Sequence, residues 1–530
     1  FGEVENRAPS SAYAGFDAAG YLEANADVAA AVTAGSFKSA LDHYIQFGAN
    51  ETRSGSGIAD NPTTVGGVTL ALTTNTDALV GGDNADTFSG LLQGAGATGT
   101  TAQPADTITG GAGTDTLNIS VAGDSGTAAF TLSALSTEGV ERVFVSNFET
   151  DANEGGNQND ETIVATGLMN GLTTVGVSAS GIDGATTFNG MANFVDAEMR
   201  NGSENLTLTY NGTQVVTGTA DTQALAVSNM SAGTFTANGI ETLAITADTT
   251  KSTLTAVASD ALKTVTIGGD QAIKITNALD FAANGSKASP GAVIDASGNS
   301  GGVTITTTAS EVLEITGGSG NDVITAGSLT ANDTIDGGEG TDTLIMTAAA
   351  LTTQLSDVSN IETFEFAAST AATNMDVSKL SSGVTSVEMD VSDGNDGGAV
   401  MANTITNLGS QTVILKHSVN DASAAGDADG VSHTISGATD TTDDTINVTV
   451  EAIDTTANRK GIDTLDVSNY ETVNLTSSKS TAVTANEVAA LTATSAKTIN
   501  LSGDGDLTTT VGGGALTTLN ASAMTGALTG

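Results

Sequence analysis

The chain has 530 residues, with 15 Lys and Arg against 61 Asp and Glu, for a formal net charge of −46. Such a polyanion is not built for nucleic acid or anionic lipid headgroups, which are bound through Lys and Arg, but it attracts cations. Cys and Trp are absent, which excludes disulfides, thiolate metal sites and cysteine nucleophiles. Aromatics make up 4% of the chain and Gly 64 residues, so packing falls to Val, Ile, Leu, Ala and Thr in thin stacked layers. With 39% hydrophobic and 14% charged residues, the chain is too apolar to be wholly disordered. No apolar run approaches the roughly 18 residues of a transmembrane helix. At roughly 150 residues per domain, the length suggests three to four domains.

Residues 1–15 read as an extended lead-in. Residues 16–55 differ in kind: Phe16, Ala19, Leu22, then Val28, Ala31, Val32, and Leu41, Tyr44, Ile45 recur at three- and four-residue steps. This predicts a small module of two or three helices. Asn25 is placed to cap the stretch from Ala26, Gly35 ends it, Ser36 opens the next helix and Gly48 closes it. From about residue 60, Thr, Ala, Ser, Gly and Asn dominate. Short alternating strings such as 65–72, 206–210, 243–246 and 413–415 read as strands.

Internal repeats organise this region. One type is Gly or Asn, an apolar residue and Glu, followed by a strand: Gly139-Val140-Glu141, Gly239-Ile240-Glu241, Asn360-Ile361-Glu362 and Asn469-Tyr470-Glu471. A further strand-like rung follows each, at 172–177, 262–267, 384–391 and 496–501. This pattern predicts stacked β-coils, with the glutamates accepting backbone N–H bonds at turns. A second type, Ile294-Asp295-Ala296-Ser297-Gly298 and then Gly302-Val303-Thr304-Ile305, recurs from Leu519 and stops mid-unit at Gly530, which suggests a native chain that continues.

Three segments carry glycines between aspartates nine residues apart. The first has Asp77, Gly81, Gly82, Asp83 and Asp86; the second has Asp106, Gly110, Gly111, Gly113 and Asp115. The third has Asp333, Asp336, Gly337, Gly338, Gly340 and Asp342, preceded by a related unit with Gly317, Gly318, Gly320 and Asp322. Glycines at positive φ turn carbonyls inward, the Asp adds a carboxylate, and the next apolar residue starts a strand. Successive turns would form oxygen-rich cages suited to calcium, which takes six to eight oxygens in irregular geometry. A lone turn of this kind is an ordinary Gly-Asp turn; four related units favour calcium. The acidic turns at Asp393–Asp396, Asp427–Asp429 and Asp504–Asp506 read as solvated loops.

The nonapeptide spacing G-G-x-G-x-D-x-U-x resembles the RTX (repeat-in-toxin) calcium-binding β-roll family. The second and third copies and the 317–324 unit match it fully, whereas the first has Asp83-Asn84 where its glycine would fall. With the Thr/Ala/Gly-rich, Cys-free coils, the chain resembles RTX-type S-layer proteins of alphaproteobacteria. The resemblance implies an elongated, mainly β chain: right-handed parallel β-solenoid and β-roll segments with calcium in the Gly-Asp turns, plus the small helical module. Segments are expected at 60–125 (first calcium-binding), 126–305 (solenoid), 306–350 (second calcium-binding) and 351–530 (solenoid). It implies several bound Ca2+ ions, type I secretion, an extracellular or cell-surface location, and self-assembly into a lattice or filament, with a surface glycan or lipopolysaccharide as a further partner. An RTX adhesin, or the non-catalytic part of a secreted hydrolase, are the alternatives. No catalytic residue is expected: His43, His417 and His433 are isolated, and no HExxH, G-x-S-x-G or phosphate loop occurs.

Overall fold

A computed structural model describes residues 16–48 and 67–530. Short stretches inside the second range are outside the description: 95–97, 124–128, 150–160, 181–183, 212–215, 217, 283–284, 287–288, 309–311, 328, 348–349, 352–354, 370–371, 394–400, 420–430, 453–460 and 481–484. The expected lead-in at 1–15, the end of the helical module at 49–55 and the acidic turn at 427–429 lie outside the described residues, as does most of the turn after Asp393.

Three short helices form the N-terminal module: α1 (Ala18–Ala24), α2 (Ala26–Thr33) and α3 (Ala40–His43), which runs into a π-type turn over Tyr44–Gly48. Asn25 stands at the start of α2, but its amide donates back to the Tyr21 carbonyl at 2.8 Å, closing α1 instead of capping α2. Gly35 ends α2 as expected, at φ +76°. The next helix is opened not by Ser36 but by Ser39, whose hydroxyl accepts the Asp42 N–H at 3.1 Å. The module's core is Tyr21, Val28, Ala40 and Tyr44. His43 is buried there, 3.2 Å from the Tyr21 hydroxyl, so it packs rather than presenting a ligand.

The rest of the described chain is a parallel β-solenoid. Every described strand pairing is parallel except one two-residue pair, Gly285–Ser286 with Ser289–Pro290. A 13-stranded sheet runs from residue 69 to 359, and a 12-stranded sheet from 252 to 524. A four-stranded sheet (78–170) and a six-stranded sheet (130–258) accompany the first, and an eight-stranded sheet (350–529) accompanies the second. Strands of different sheets alternate along the chain, so each coil adds one rung to each sheet. The partner sheet changes along the axis while the stacking continues.

Period-two patterning makes this possible. In Thr87–Gln93 and Thr472–Ser478 every second residue is buried and the intervening positions, all Thr, Ser, Asn or Gln except Leu91, are half-buried. The inward residues join into one core that runs from Leu72 to Leu507. Face-to-face sheets stand only about 10 Å apart, which Val, Ile, Leu and Phe fill without larger residues.

The four Glu repeats are the places where one coil hands over to the next. Gly139, Gly239, Asn360 and Asn469 all take positive φ, between +50° and +82°. Gly and Asn are the residues that tolerate this left-handed turn at least cost. The next residue, Val140, Ile240, Ile361 or Tyr470, is buried, and a strand starts just after the Glu. Each such strand pairs directly with the rung expected after it: Arg142–Glu149 with Thr174–Ser178, Thr242–Ala247 with Thr264–Gly269, Thr363–Ser369 with Ser386–Asp393, and Thr472–Ser478 with Thr498–Gly503.

Leu475 is fully buried and distant in sequence from every GGxGxD turn. Leu475→Ala is expected to cost about 2–5 kcal/mol. Because rungs contact only their neighbours, hydrogen exchange should rise in Thr445–Ala452, Thr472–Ser478 and Thr498–Gly503 and stay low in Thr87–Gln93.

Candidate metal centre

Six aspartates of the Gly-Asp turns, Asp86, Asp106, Asp115, Asp322, Asp333 and Asp342, stand at the heads of rungs, and each receives a backbone N–H from the coil before it. The Val68 N–H donates to Asp86 Oδ1 at 2.6 Å, the Asp86 N–H to Asp115 Oδ1 at 2.6 Å, and the Asp115 N–H to Glu141 Oε2 at 2.7 Å. The same ladder recurs in the third copy. The Val303 N–H donates to Asp322 Oδ1 at 2.7 Å, the Asp322 N–H to Asp342 Oδ1 at 2.8 Å, and the Asp342 N–H to Glu362 Oε2 at 2.8 Å. The repeat glutamates are thus the last members of carboxylate ladders, in the backbone-accepting role that the sequence pattern predicts. Glu241 and Glu471 do the same for the Asp221 and Asp444 N–H groups, at 3.0 and 3.1 Å. Each Glu carbonyl then accepts two amides of the following rung, as Glu362 does from Thr385 and Ser386.

The aspartates nine apart do not meet. Asp77 and Asp86 head strands of different sheets, as do Asp106 and Asp115, and Asp333 and Asp342. Asp106 accepts the Asp77 N–H at 2.9 Å and the Gln103 N–H at 2.7 Å. Asp333 accepts the Leu313 N–H at 3.0 Å and the Thr330 N–H at 2.6 Å. Asp83 is exposed, and Asp336 Oδ1 takes the Asn360 amide at 2.7 Å. Asp506, from a turn expected to be solvated, is exposed and also accepts the Ala527 N–H at 2.7 Å.

The glycines make room for the oxygens. Gly111, Gly113, Gly338 and Gly340 have φ of +94° to +123°, a region that side chains avoid. Gly110 and Gly337 matter for space. A Cβ on Gly337 would overlap the Asn360 carbonyl oxygen and lie 2.7 Å from Asp342 Oδ2; on Gly110 it would overlap the Gly139 carbonyl and Asp115 Oδ2. In both turns a carboxylate oxygen and a carbonyl oxygen from the adjacent rung converge on space only glycine leaves open. Gly81 and Gly317 repeat the arrangement with Asp86 and Asp322. There the second carboxylate oxygen is satisfied, by the Gly82 N–H at 2.6 Å and the Gly318 N–H at 2.7 Å.

Asp115 Oδ2 and Asp342 Oδ2 are different: both are buried and have no hydrogen-bond partner. A buried unpaired carboxylate oxygen is costly and calls for a proton or a cation. Burial pushes Asp342 up to about 6, and the charges of Asp322, Glu362 and Asp336 push the same way against the Asp322 N–H bond. Asp115 is raised by burial and by the charges of Asp86 and Glu141, and Asp322 by burial. Among the described residues, no three His, Asp or Glu side chains gather within reach of one metal ion. A calcium ion here would therefore take most of its oxygens from backbone carbonyls. The residues fit that demand best at Asp115 with the Gly139 carbonyl and at Asp342 with the Asn360 carbonyl.

Asp221 and Asp444 were not among the expected site residues. The signal that finds them is an Asp-Thr dipeptide at the head of a strand, shared with Asp86, Asp106, Asp115, Asp333 and Asp342, lying 20 to 27 residues before a repeat Glu. No family model matches the chain, and no curated protein matches it. Among the described residues, no helix is long and apolar enough to cross a membrane.

Two substitutions separate the ladder from the cation. Glu362→Ala leaves the Asp342 N–H without its acceptor and should lower stability by about 1–3 kcal/mol in denaturant titrations, whereas Glu362→Gln, which keeps an oxygen, should cost less. Asp342 binds its proton more tightly folded than unfolded, so its protonated form supports the fold at low pH. Without calcium, stability should therefore fall as pH rises from about 4 to about 6. In Asp342→Asn that slope should shrink, as should the gain in melting temperature on adding calcium.

Proposed function

We propose that this protein is a structural, non-catalytic component of a cell surface, a β-solenoid that calcium staples into its folded form and that self-assembles into a layer or filament. The observation that carries the reading is the pair of buried, unpartnered carboxylate oxygens at Asp115 and Asp342, each facing a carbonyl of the adjacent rung in a glycine-lined turn. The likeness of these turns to RTX repeats supports the same conclusion.

The mechanism is electrostatic. At low calcium the acidic chain repels itself, and the buried carboxylates at the rung heads disfavour the stacked state. That favours an unfolded, exportable chain, in keeping with type I secretion. At extracellular calcium each bound ion offsets two charges, satisfies Asp115 or Asp342 and licenses the next coil to stack. Parallel sheets leave edge groups that template further pairing, so the interaction that adds rungs within one molecule also serves contacts between molecules.

Electron microscopy of the purified chain with calcium and after chelation, with circular dichroism on the same samples, tests both halves. Ordered sheets or filaments should form only with calcium, alongside a gain of β signal. A calcium-folded chain that never assembles would remove the layer from the proposal. Full β structure after thorough chelation would overturn the staple.

A further inference from the structure

The described part of the chain holds two arginines, Arg142 and Arg200, and they converge on one phenylalanine. Four strands of the 13-stranded sheet carry the arrangement: Thr116–Gly123, Arg142–Glu149, Thr174–Ser178 and Asp196–Arg200. In one row across them stand Asn118, Phe144, Gly176 and Glu198. Phe144 lies outside the solenoid core, to which its neighbours Val143 and Val145 belong, yet it is only 5% exposed. The two guanidinium groups cover it, with their central carbons 5.2 and 4.4 Å from the ring centroid. Gly176 makes this possible, because a Cβ there would press to 3.0 Å from the Phe144 ring. Glu198 grips both arginines, Arg142 at 2.8 Å and Arg200 at 2.6 Å.

This clamp has more positive charge than its internal pairing uses. One carboxylate holds two guanidinium groups, and Arg200 Nε is buried without a partner. Beside it is an open depression of about 460 Å3, lined by the two arginines, Phe144, Thr114, Thr116, Asn118 and Ser178. Glu198 is not among its lining residues. The depression thus interleaves guanidinium donors with hydroxyl and amide groups, Thr116 standing beside Arg142 and Ser178 beside Arg200 in the strand register, and it has no carboxylate. Its size is in the range of small-ligand sites. In a chain of net charge −46, a local cationic surface with fixed arginines is unexpected on electrostatic grounds alone. Stacking and the shared carboxylate remove the freedom of the arginine side chains, so an incoming oxyanion meets a preorganised fork.

We propose that this depression binds an acidic saccharide: the arginines take a sugar carboxylate, and Thr114, Thr116, Asn118 and Ser178 take ring hydroxyls. The inference goes beyond the assembly reading and does not depend on it, because a single dispersed molecule carries the whole site.

The test is isothermal titration calorimetry of the full chain, in calcium, with a hexuronic-acid trisaccharide, its neutral methyl ester and inorganic phosphate. The acidic trisaccharide should bind at least about tenfold more tightly than the ester or phosphate. Arg200→Gln, with unchanged circular dichroism, should weaken it by about tenfold or more, and added salt should weaken it too. Asn118→Ala, an exposed rim change that leaves the clamp intact, should give a smaller loss and serves if Arg200→Gln fails to fold. Equal binding of ester and acid, or undiminished affinity in either folded variant, overturns the proposal. Phosphate binding as tightly as the trisaccharide also overturns it, and assigns the site to free oxyanions.

Discussion

The structure depends on one recurring hydrogen bond, the backbone N–H at the head of a rung donating to a carboxylate of the next coil. When coils stack, these amides leave water and must find an acceptor. In the ladders Val68–Asp86–Asp115–Glu141 and Val303–Asp322–Asp342–Glu362, an acidic side chain supplies it at each step. Charge-assisted bonds of this kind are stronger than neutral ones, and they fix which residue of one coil stands above which residue of the next. Register matters in a period-two structure, since a slip of one residue would turn the Val, Ile and Leu face outward.

The same choice creates an electrostatic problem. A carboxylate has two oxygens, and the ladder uses one. Where a glycine N–H takes the other, as at Asp86 and Asp322, the group is satisfied within the protein. Where none does, at Asp115 and Asp342, a buried oxygen is left among like charges. The ladder's hydrogen bonds form at every one of these turns, whether or not the second carboxylate oxygen has a partner. The demand for a cation is local, and it falls on two of the three turns whose glycines match the RTX spacing in full, those of Asp115 and Asp342.

The aromatic helical module and the solenoid solve the same problem of scarce large side chains in opposite ways. The module concentrates Phe16, Tyr21, Phe37, His43, Tyr44 and Phe47 within a few turns of helix, as edge and tilted ring contacts. The solenoid spreads small apolar residues along a long thin core and leaves Thr, Asn and Ser outside, where Asn447, Asn474, Asn500 and Asn520 form an amide ladder across successive rungs.

Much of this was legible in the order of residues. Period-two alternation, the Gly/Asn-apolar-Glu repeats and the backbone-accepting role of their glutamates follow from side-chain chemistry and local backbone limits, and each is a property of a few adjacent residues. So is the demand for glycine at positions 111, 113, 338 and 340, where φ is positive. Only the tertiary structure decided which residues stack. Coil length varies, so a ladder step spans 18 to 29 residues, and a nine-residue spacing in sequence places two aspartates on different sheets instead of in one cage. The orphaned oxygens of Asp115 and Asp342, and the meeting of Arg142 and Arg200 over Phe144 across the gap at Gly176, likewise arise from contacts between coils. Local sequence sets what each rung presents, and the register of stacking sets what it meets.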